Sequence, residues 1–142
     1  MDRKKQVAAL PVRRDTRGGL RVLLVTSRET RRYVIPKGWP MAGRKDHQAA
    51  AVEAREEAGI RGKIAKKPIG TYTYDKRHDK GSVPVRVKVY LLEVQEELEA
   101  WPEQAERERK WLTPAKAAAA VDEPELAALI RGLENDDGRI TG

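Results

Sequence analysis

Pro36-Lys37-Gly38-Trp39-Pro40-Met41-Ala42-Gly43-Arg44, followed by a helical run that closes Glu53-Ala54-Arg55-Glu56-Glu57-Ala58-Gly59-Ile60, is the stretch on which the reading of this chain turns. Asp46 is placed to cap the helix at its start, and Gly59 stands where a helix C-terminus favours a left-handed residue. Ala49, Ala50, Ala51 and Ala54 between them are strong helix formers. Glu53, Glu56 and Glu57 fall at i, i+3 and i+4, so a helix brings all three carboxylates to one face, beside a slim stripe of Ala50, Ala54 and Ala58. Small residues in that stripe let the helix lie close against a sheet. Three like charges on one face destabilise a helix unless something neutralises them. Taken alone, an acidic face is most often a solvated one. Here the glycine-containing loop just upstream is built for close approach to a ligand. A cluster of hard oxygen donors also suits Mg²⁺ or Mn²⁺, particularly where substrate phosphates complete the shell. The spacing leaves both readings standing.

Outward from this stretch, the chain reads as strands arranged around one helix. Gln6 to Arg13 and Leu20 to Ser27 are apolar runs separated by the turn composition Arg14-Asp15-Thr16-Arg17-Gly18-Gly19, which predicts a hairpin. Tyr33-Val34-Ile35 is a brief strand leading into the loop. Lys63 to Ile69 and Gly70 to Lys76 read as extended, and Asp79-Lys80-Gly81-Ser82 as a hairpin turn. Val83 to Val94 carries the clearest strand signal: Val83, Val85, Val87, Val89 and Leu91 alternate with Pro84, Arg86, Lys88, Tyr90 and Leu92. Gln95 to Arg109 is charged and reads as a loop with some helix, before a short strand at Lys110-Trp111-Leu112. Thr113-Pro114 and Asp122-Glu123-Pro124 announce two helices, the second ending near Leu133. The polar tail from Glu134 is expected to be mobile.

A length of 142 residues fits one domain, 1–142, with no repeat or linker visible. Cysteine is absent, no apolar run is long enough to span a membrane, and the opening Met1-Asp2-Arg3-Lys4-Lys5 leads into too short an apolar stretch for a signal peptide; the expected location is the cytoplasm. Lys and Arg number 29 against 22 Asp and Glu, and the net charge of +7 favours an anionic partner.

Gly38, five residues, Arg44, seven residues, then Val52-Glu53-Ala54-Arg55-Glu56-Glu57-Ala58-Gly59-Ile60 resembles the Nudix box. That box normally reads Gly, five residues, Glu, seven residues, Arg-Glu-apolar-any-Glu-Glu-any-Gly-apolar. The chain keeps Gly38, Glu53, Glu56, Glu57, Gly59 and Ile60 in register, and departs where the first Glu is Arg44 and the Arg is Val52. Further segments resemble the diphosphoinositol polyphosphate phosphohydrolase branch of the family. These are Lys4-Lys5-Gln6-Val7-Ala8-Ala9 through Arg13, Ser27-Arg28 before Tyr33-Val34-Ile35-Pro36, Trp101-Pro102-Glu103, and Arg107-Glu108-Arg109-Lys110-Trp111-Leu112 with the Ala-rich helix after them. Together they extend the likeness over about Lys4 to Ile130.

The resemblance implies an α/β (α+β) fold, the Nudix-type α/β/α sandwich with a mixed sheet and a central catalytic helix. It implies Mg²⁺- or Mn²⁺-dependent hydrolysis of a phosphoanhydride in a highly anionic substrate: a diphosphoinositol polyphosphate, a dinucleoside polyphosphate or a similar nucleoside diphosphate derivative. In that reading Glu53, Glu56, Glu57 and the Gly38 carbonyl hold metal, and Glu53 or Glu57 takes the proton of the attacking water. A later loop acid could join them, with Glu96, Glu97 and Glu99 as unranked candidates. Val52 cannot supply the ion pair that the box arginine gives its neighbouring glutamates, so Arg44 is expected to reach them from the loop instead. Arg13, Arg28, Arg32 and Lys37, with Lys76, Arg77, His78 and Lys80 from the hairpin, are the expected phosphate contacts. Trp39 is expected on an exposed loop, and Trp101 and Trp111 in packing. The partner expected is a phosphorylated small molecule, without a membrane; the competing reading is a phosphate- or RNA-binding module with little or no hydrolysis. RNA is disfavoured because stacking aromatics are few beyond Tyr72 and Tyr74. Self-association is left open.

Overall fold

The computed structural model describes residues 4–78 and 80–135; the tail expected to be mobile lies outside them from residue 136 onward. Among the described residues, eight strands form one mixed sheet: β1 (Lys4–Arg14), β2 (Leu20–Thr26), β3 (Tyr33–Val34), β4 (Lys37–Gly38), β5 (Ile60–Ile64), β6 (Gly70–His78), β7 (Gly81–Glu97) and β8 (Arg109–Leu112). Helix α1 spans Asp46–Ala58, α2 Pro114–Ala120 and α3 Pro124–Gly132. The long strands β1 and β7 run parallel at the centre, from Lys4 opposite Val85 to Val12 opposite Glu93. Antiparallel neighbours flank them: β2 and β4 on β1, β5 and β6 on β7.

Strand alternation sorts the core into two layers. Val7, Ala9, Leu23, Val25, Tyr90 and Leu92 pack with Ala49, Ala50, Ala54 and Ala58 of α1. Ala8, Leu10, Val12, Val22, Leu24, Val85, Val87, Val89 and Leu91 pack with Ala117, Ala118, Leu126, Ala127 and Ile130 of α2 and α3. The result is the α/β/α sandwich expected. The valine series of β7 proves to be the face turned to α2 and α3, and the alanine stripe of α1 is fully buried on the sheet.

The β1–β2 hairpin, the strand at Tyr33, the alternating strand and both C-terminal helices lie where the sequence places them. Thr113 caps α2 as expected, its hydroxyl accepting from the Lys116 N–H at 3.2 Å. Two local expectations are corrected. The N-cap of α1 is Lys45 rather than Asp46; the Lys45 N–H donates to Gln48 Oε1 at 2.8 Å, while Asp46 opens the helix and pairs with Lys88 at 2.7 Å. The charged segment after residue 95 forms no helix. Strand β7 continues through Glu97, and residues 98–108 then run in turns along the end of α1.

That course has an energetic reason. The last carbonyls of an α-helix lack intrahelical donors, and this one segment supplies them. The Glu103 N–H donates to Glu56 O (3.2 Å), Trp101 Nε1 to Glu57 O (3.1 Å), Arg109 Nη1 to both Ala58 O and Gly59 O (3.0 Å each), and the Leu98 N–H to Gly59 O (2.7 Å). Arg109 also stacks on Trp101, 4.1 Å from the ring centroid, and its charge suits the negative end of the helix dipole. Gly59 is left-handed (φ 65°), and a Cβ there would lie 2.5 Å from the Trp101 ring. Replacing Arg109 by Met is expected to cost about 1.5–3 kcal/mol in urea unfolding, the usual worth of hydrogen bonds from a charged donor.

Candidate active site

The site begins at Gly38. Its partner across the sheet is Val7, so it presents the face of β4 turned to α1, whereas Lys37, opposite Ala8, presents the other. Glu53 extends from α1 onto Gly38 so closely that any Cβ at that position would overlap the Glu53 Oε2 atom. Only glycine leaves room for this carboxylate against the backbone. One turn further along α1, Glu57 is buried; its Oε1 accepts from the Lys37 N–H at 3.3 Å and lies 3.8 Å from Arg107 Nη2. Glu56 is half-buried on the same face.

Burial is the largest influence on both inner carboxyls. It raises Glu53 to about 7, with further upward pressure from the charges of Glu56 and Glu103. It also raises Glu57 to about 7, against the pull of Arg107, with Glu53 pushing the same way as burial. These carboxyls therefore hold their protons more tightly than an ordinary glutamate. Lys37 shows the converse effect: burial lowers its pKa, opposed by Glu57 and Glu123.

Among the described residues, no three Asp, Glu or His side chains converge into a preassembled metal shell. The physical reason lies in the contacts just given. Glu57 turns to Arg107 and the Lys37 N–H, and Glu53 to Gly38, which separates like charges. The donor set nonetheless fits a hard divalent cation, with oxygen ligands alone, incompletely neutralised, and a glycine backbone open on the carboxylate side.

Arg44, expected to reach these glutamates, is exposed in the turn before α1. Even Glu53 lies two helical turns beyond Asp46, roughly 10 Å along the axis, too far for a side chain anchored upstream of the N-terminus. The cation that meets the cluster is Arg107, from residues 98–108. Glu103 belongs to the same group: its carboxylate takes Arg107 Nε at 2.7 Å, and its charge bears on Glu53 and Glu57. Glu103, rather than Glu96, Glu97 or Glu99, is thus the acid of the later segment that lies beside this cluster. Glu96 faces Arg61 at 3.8 Å, Glu99 is exposed, and Glu97 is held by Arg13, Trp111 and Arg109.

The expected phosphate-binding cations separate into groups. Arg28 lies 3.9 Å from Glu103 and 3.4 Å from Glu106, beside the cluster. Lys37 places its ammonium 4.9 Å from the Tyr74 ring centroid, and its charge is felt at both Glu53 and Glu57. Lys76 acts on Lys37 from the same face of β6, and Arg32 pairs with Asp122 and Glu123 next to them. Arg13 does not join this set. It lies six residues along β1 from Val7, roughly 20 Å at strand rise, and stacks on Trp111 at 4.0 Å while pairing with Glu97. Arg77 alternates to the face of β6 opposite Tyr72, Tyr74 and Lys76, and is exposed. Trp39 is exposed at 45% as expected. His47 is a neighbour of Tyr90, with ring centroids 6.3 Å apart. Trp101 and Trp111 both pack and donate hydrogen bonds.

A family model for the NUDIX domain matches residues 2–133. The chain belongs to the Nudix family. It is 35% identical over 111 residues to "Nudix hydrolase 13, mitochondrial" of Arabidopsis thaliana, covering 72% of this chain and 54% of that protein. The chain spans about half to two thirds of the length of the curated relatives of this kind that it matches. Its fold is similar to a C. elegans Ap4A hydrolase binary complex, with TM-score 0.70, 21% identity and coverage of 96% of this chain and 99% of that one. It is also similar to the NUDIX domain of Shewanella oneidensis NrtR complexed with ADP ribose, with TM-score 0.67, 16% identity and coverage of 92% and 88%. Among the described residues no helix is long and apolar enough to cross a membrane.

The raised carboxyls give a pH prediction for the metal-free protein. Glu53 and Glu57 bind protons more tightly folded than unfolded, so the folded state is favoured while they are protonated. That advantage is whole below about 4.5, the unfolded value, and is lost as pH rises through about 7. Thermal melts in EDTA should show this component of stability falling between about pH 4.5 and 7, and Glu57→Gln should flatten the slope.

Proposed function

We propose that this chain hydrolyses a phosphoanhydride bond in a polyanionic small molecule with a divalent cation, Mg²⁺ or Mn²⁺. The observation that carries this reading is the Glu53 carboxylate lodged on Gly38, with Glu56 and Glu57 on the same helical face and Glu103 beside them. Glu53, Glu56, Glu57 and the Gly38 carbonyl would hold the cation. When bound, such an ion neutralises phosphate charge and acidifies a coordinated water.

The chain's own residues supply the remainder. Glu53 or Glu57, with carboxyls titrating near neutrality, is suited to accept the proton of the attacking water. Arg28 beside Glu103, and Lys37 with Lys76 and Arg32 near it, would offer positive charge to a substrate's phosphates, as bidentate forks from Arg and point charges from Lys. A nucleotide-derived anhydride such as a dinucleoside polyphosphate or an ADP-ribose-like diphosphate suits this arrangement, in keeping with the two similar structures, an Ap4A hydrolase and a NUDIX domain complexed with ADP ribose. A diphosphoinositol polyphosphate is a further candidate on the same chemistry. An RNA-binding role finds less support: Tyr72 is 2% exposed, and Tyr74 carries Lys37 over its ring, which leaves neither free as a stacking platform.

A panel of phosphoanhydrides assayed with Mg²⁺ and Mn²⁺ tests the proposal. At least one compound should be cleaved, and Glu56→Gln and Glu57→Gln should each lower kcat by about 10² or more. If the compounds bind and none is cleaved, the chain is a ligand-binding module on this scaffold. Gly38→Ala should depress kcat strongly with the fold retained, because the nearest atoms to the new methyl all belong to the Glu53 side chain, which it displaces.

A further inference from the structure

The box position that carries arginine in the family is Val52 here, half-buried and without a donor. The one arginine of α1, Arg55, is exposed and sits two residues from Glu57, on another face of the helix, so it does not hold that carboxylate in place. We infer that Arg107 has taken over this task, so that the positioning residue of the site comes from the segment before β8 and not from α1. The inference rests on the functional reading above and assigns Arg107 a part in it.

The geometry is specific. The Arg107 side chain is only 10% exposed, and each of its nitrogens meets a fixed acceptor. Nη2 faces Glu57 Oε1 at 3.8 Å, Nε donates to Glu103 Oε1 at 2.7 Å, and Nη1 donates to the Thr26 carbonyl at 3.1 Å. A guanidinium so little exposed is costly unless it is paired, and here two hydrogen bonds and one ion-pair contact engage its three nitrogens in three directions. Thr26 anchors the cation to the end of β2, where the Glu108 N–H also bonds Thr26 Oγ1 at 2.9 Å. Glu103 is tied to α1 through its N–H on the Glu56 carbonyl. Arg107 is thus a rigid strut from the sheet to two carboxylates of the site. Arg44, in the loop before α1, stands exposed at the opposite end of the helix.

A purely structural strut and a positioning residue predict different rescue behaviour. Mn²⁺ binding is measured by electron paramagnetic resonance alongside thermal stability for wild type, Arg107→Met, Arg107→Lys, Val52→Arg and the Val52→Arg/Arg107→Met pair. Arg107→Met is expected to weaken Mn²⁺ binding by about tenfold or more, the usual effect of removing a group that orients a metal ligand, with Arg107→Lys between it and wild type. Adding Val52→Arg to Arg107→Met should recover most of that Mn²⁺ affinity and none of the stability lost with the Thr26 contact. Val52→Arg alone should change binding little, because the task is already filled. The inference is overturned if Arg107→Met binds Mn²⁺ as wild type does. It is equally overturned if the double variant folds but recovers no affinity, or if Val52→Arg alone tightens binding about tenfold. The wild-type affinity itself reports on the functional reading, and the ratios between variants report on Arg107.

Discussion

The end of α1 is where the fold and the site depend on each other. A helix that stops beside a sheet leaves carbonyls needing donors, and here the donors come from residues 98–109. Because Leu98, Trp101, Glu103 and Arg109 are fixed on those carbonyls, Glu103 and Arg107 are carried to the acidic face of the same turn. Satisfying the backbone of the helix thus also builds the second half of the site. Trp101 closes the arrangement from outside, and the left-handed Gly59 makes space for it.

The strand period performs a second division of labour. Lys37 and Gly38 are adjacent in sequence yet belong to opposite faces of β4. Gly38 opens towards the carboxylates of α1, and the Lys37 side chain passes towards Tyr74, Lys76 and Glu123 while its backbone N–H keeps hold of Glu57. The Lys37 ammonium is therefore kept on the other face of the strand from the Glu53 carboxylate, although its charge still reaches it. Burial then acts on both, lifting Glu53 and Glu57 and lowering Lys37, so each charged form is less favoured than in an ordinary side chain until charge of the opposite sign arrives. A cation at the carboxylates together with phosphates at the cations would relieve both penalties at once.

Much of this was legible from local pattern. The i, i+3, i+4 glutamates, the alanine stripe, Gly59 and the alternation of β7 each report a neighbour within one turn or one strand, which periodicity can register. Arg107 and Glu103 were not legible as site residues. Their partners Glu57 and Glu53 lie about 50 residues earlier in the chain, and nothing in the charge pattern between Gln95 and Arg109 distinguishes the two buried or half-buried groups from exposed ones such as Glu106. Arg44 is close to these glutamates in sequence alone. Helix rise puts it at the wrong end. Arg13 failed for a similar reason, since it lies at the far end of the strand whose middle touches Gly38. Glu97 read as a loop acid because strand β7 outlasts its valine alternation.

The central claim is that Glu53, Glu56, Glu57 and the Gly38 carbonyl share a divalent cation. Anomalous diffraction from crystals soaked in Mn²⁺ tests it directly. The account predicts a Mn²⁺ peak within coordinating distance of Gly38 O and at least two of the three glutamates, with those side chains drawn inward. Glutamates left as they stand, with no Mn²⁺ among them at saturating concentration, would contradict it.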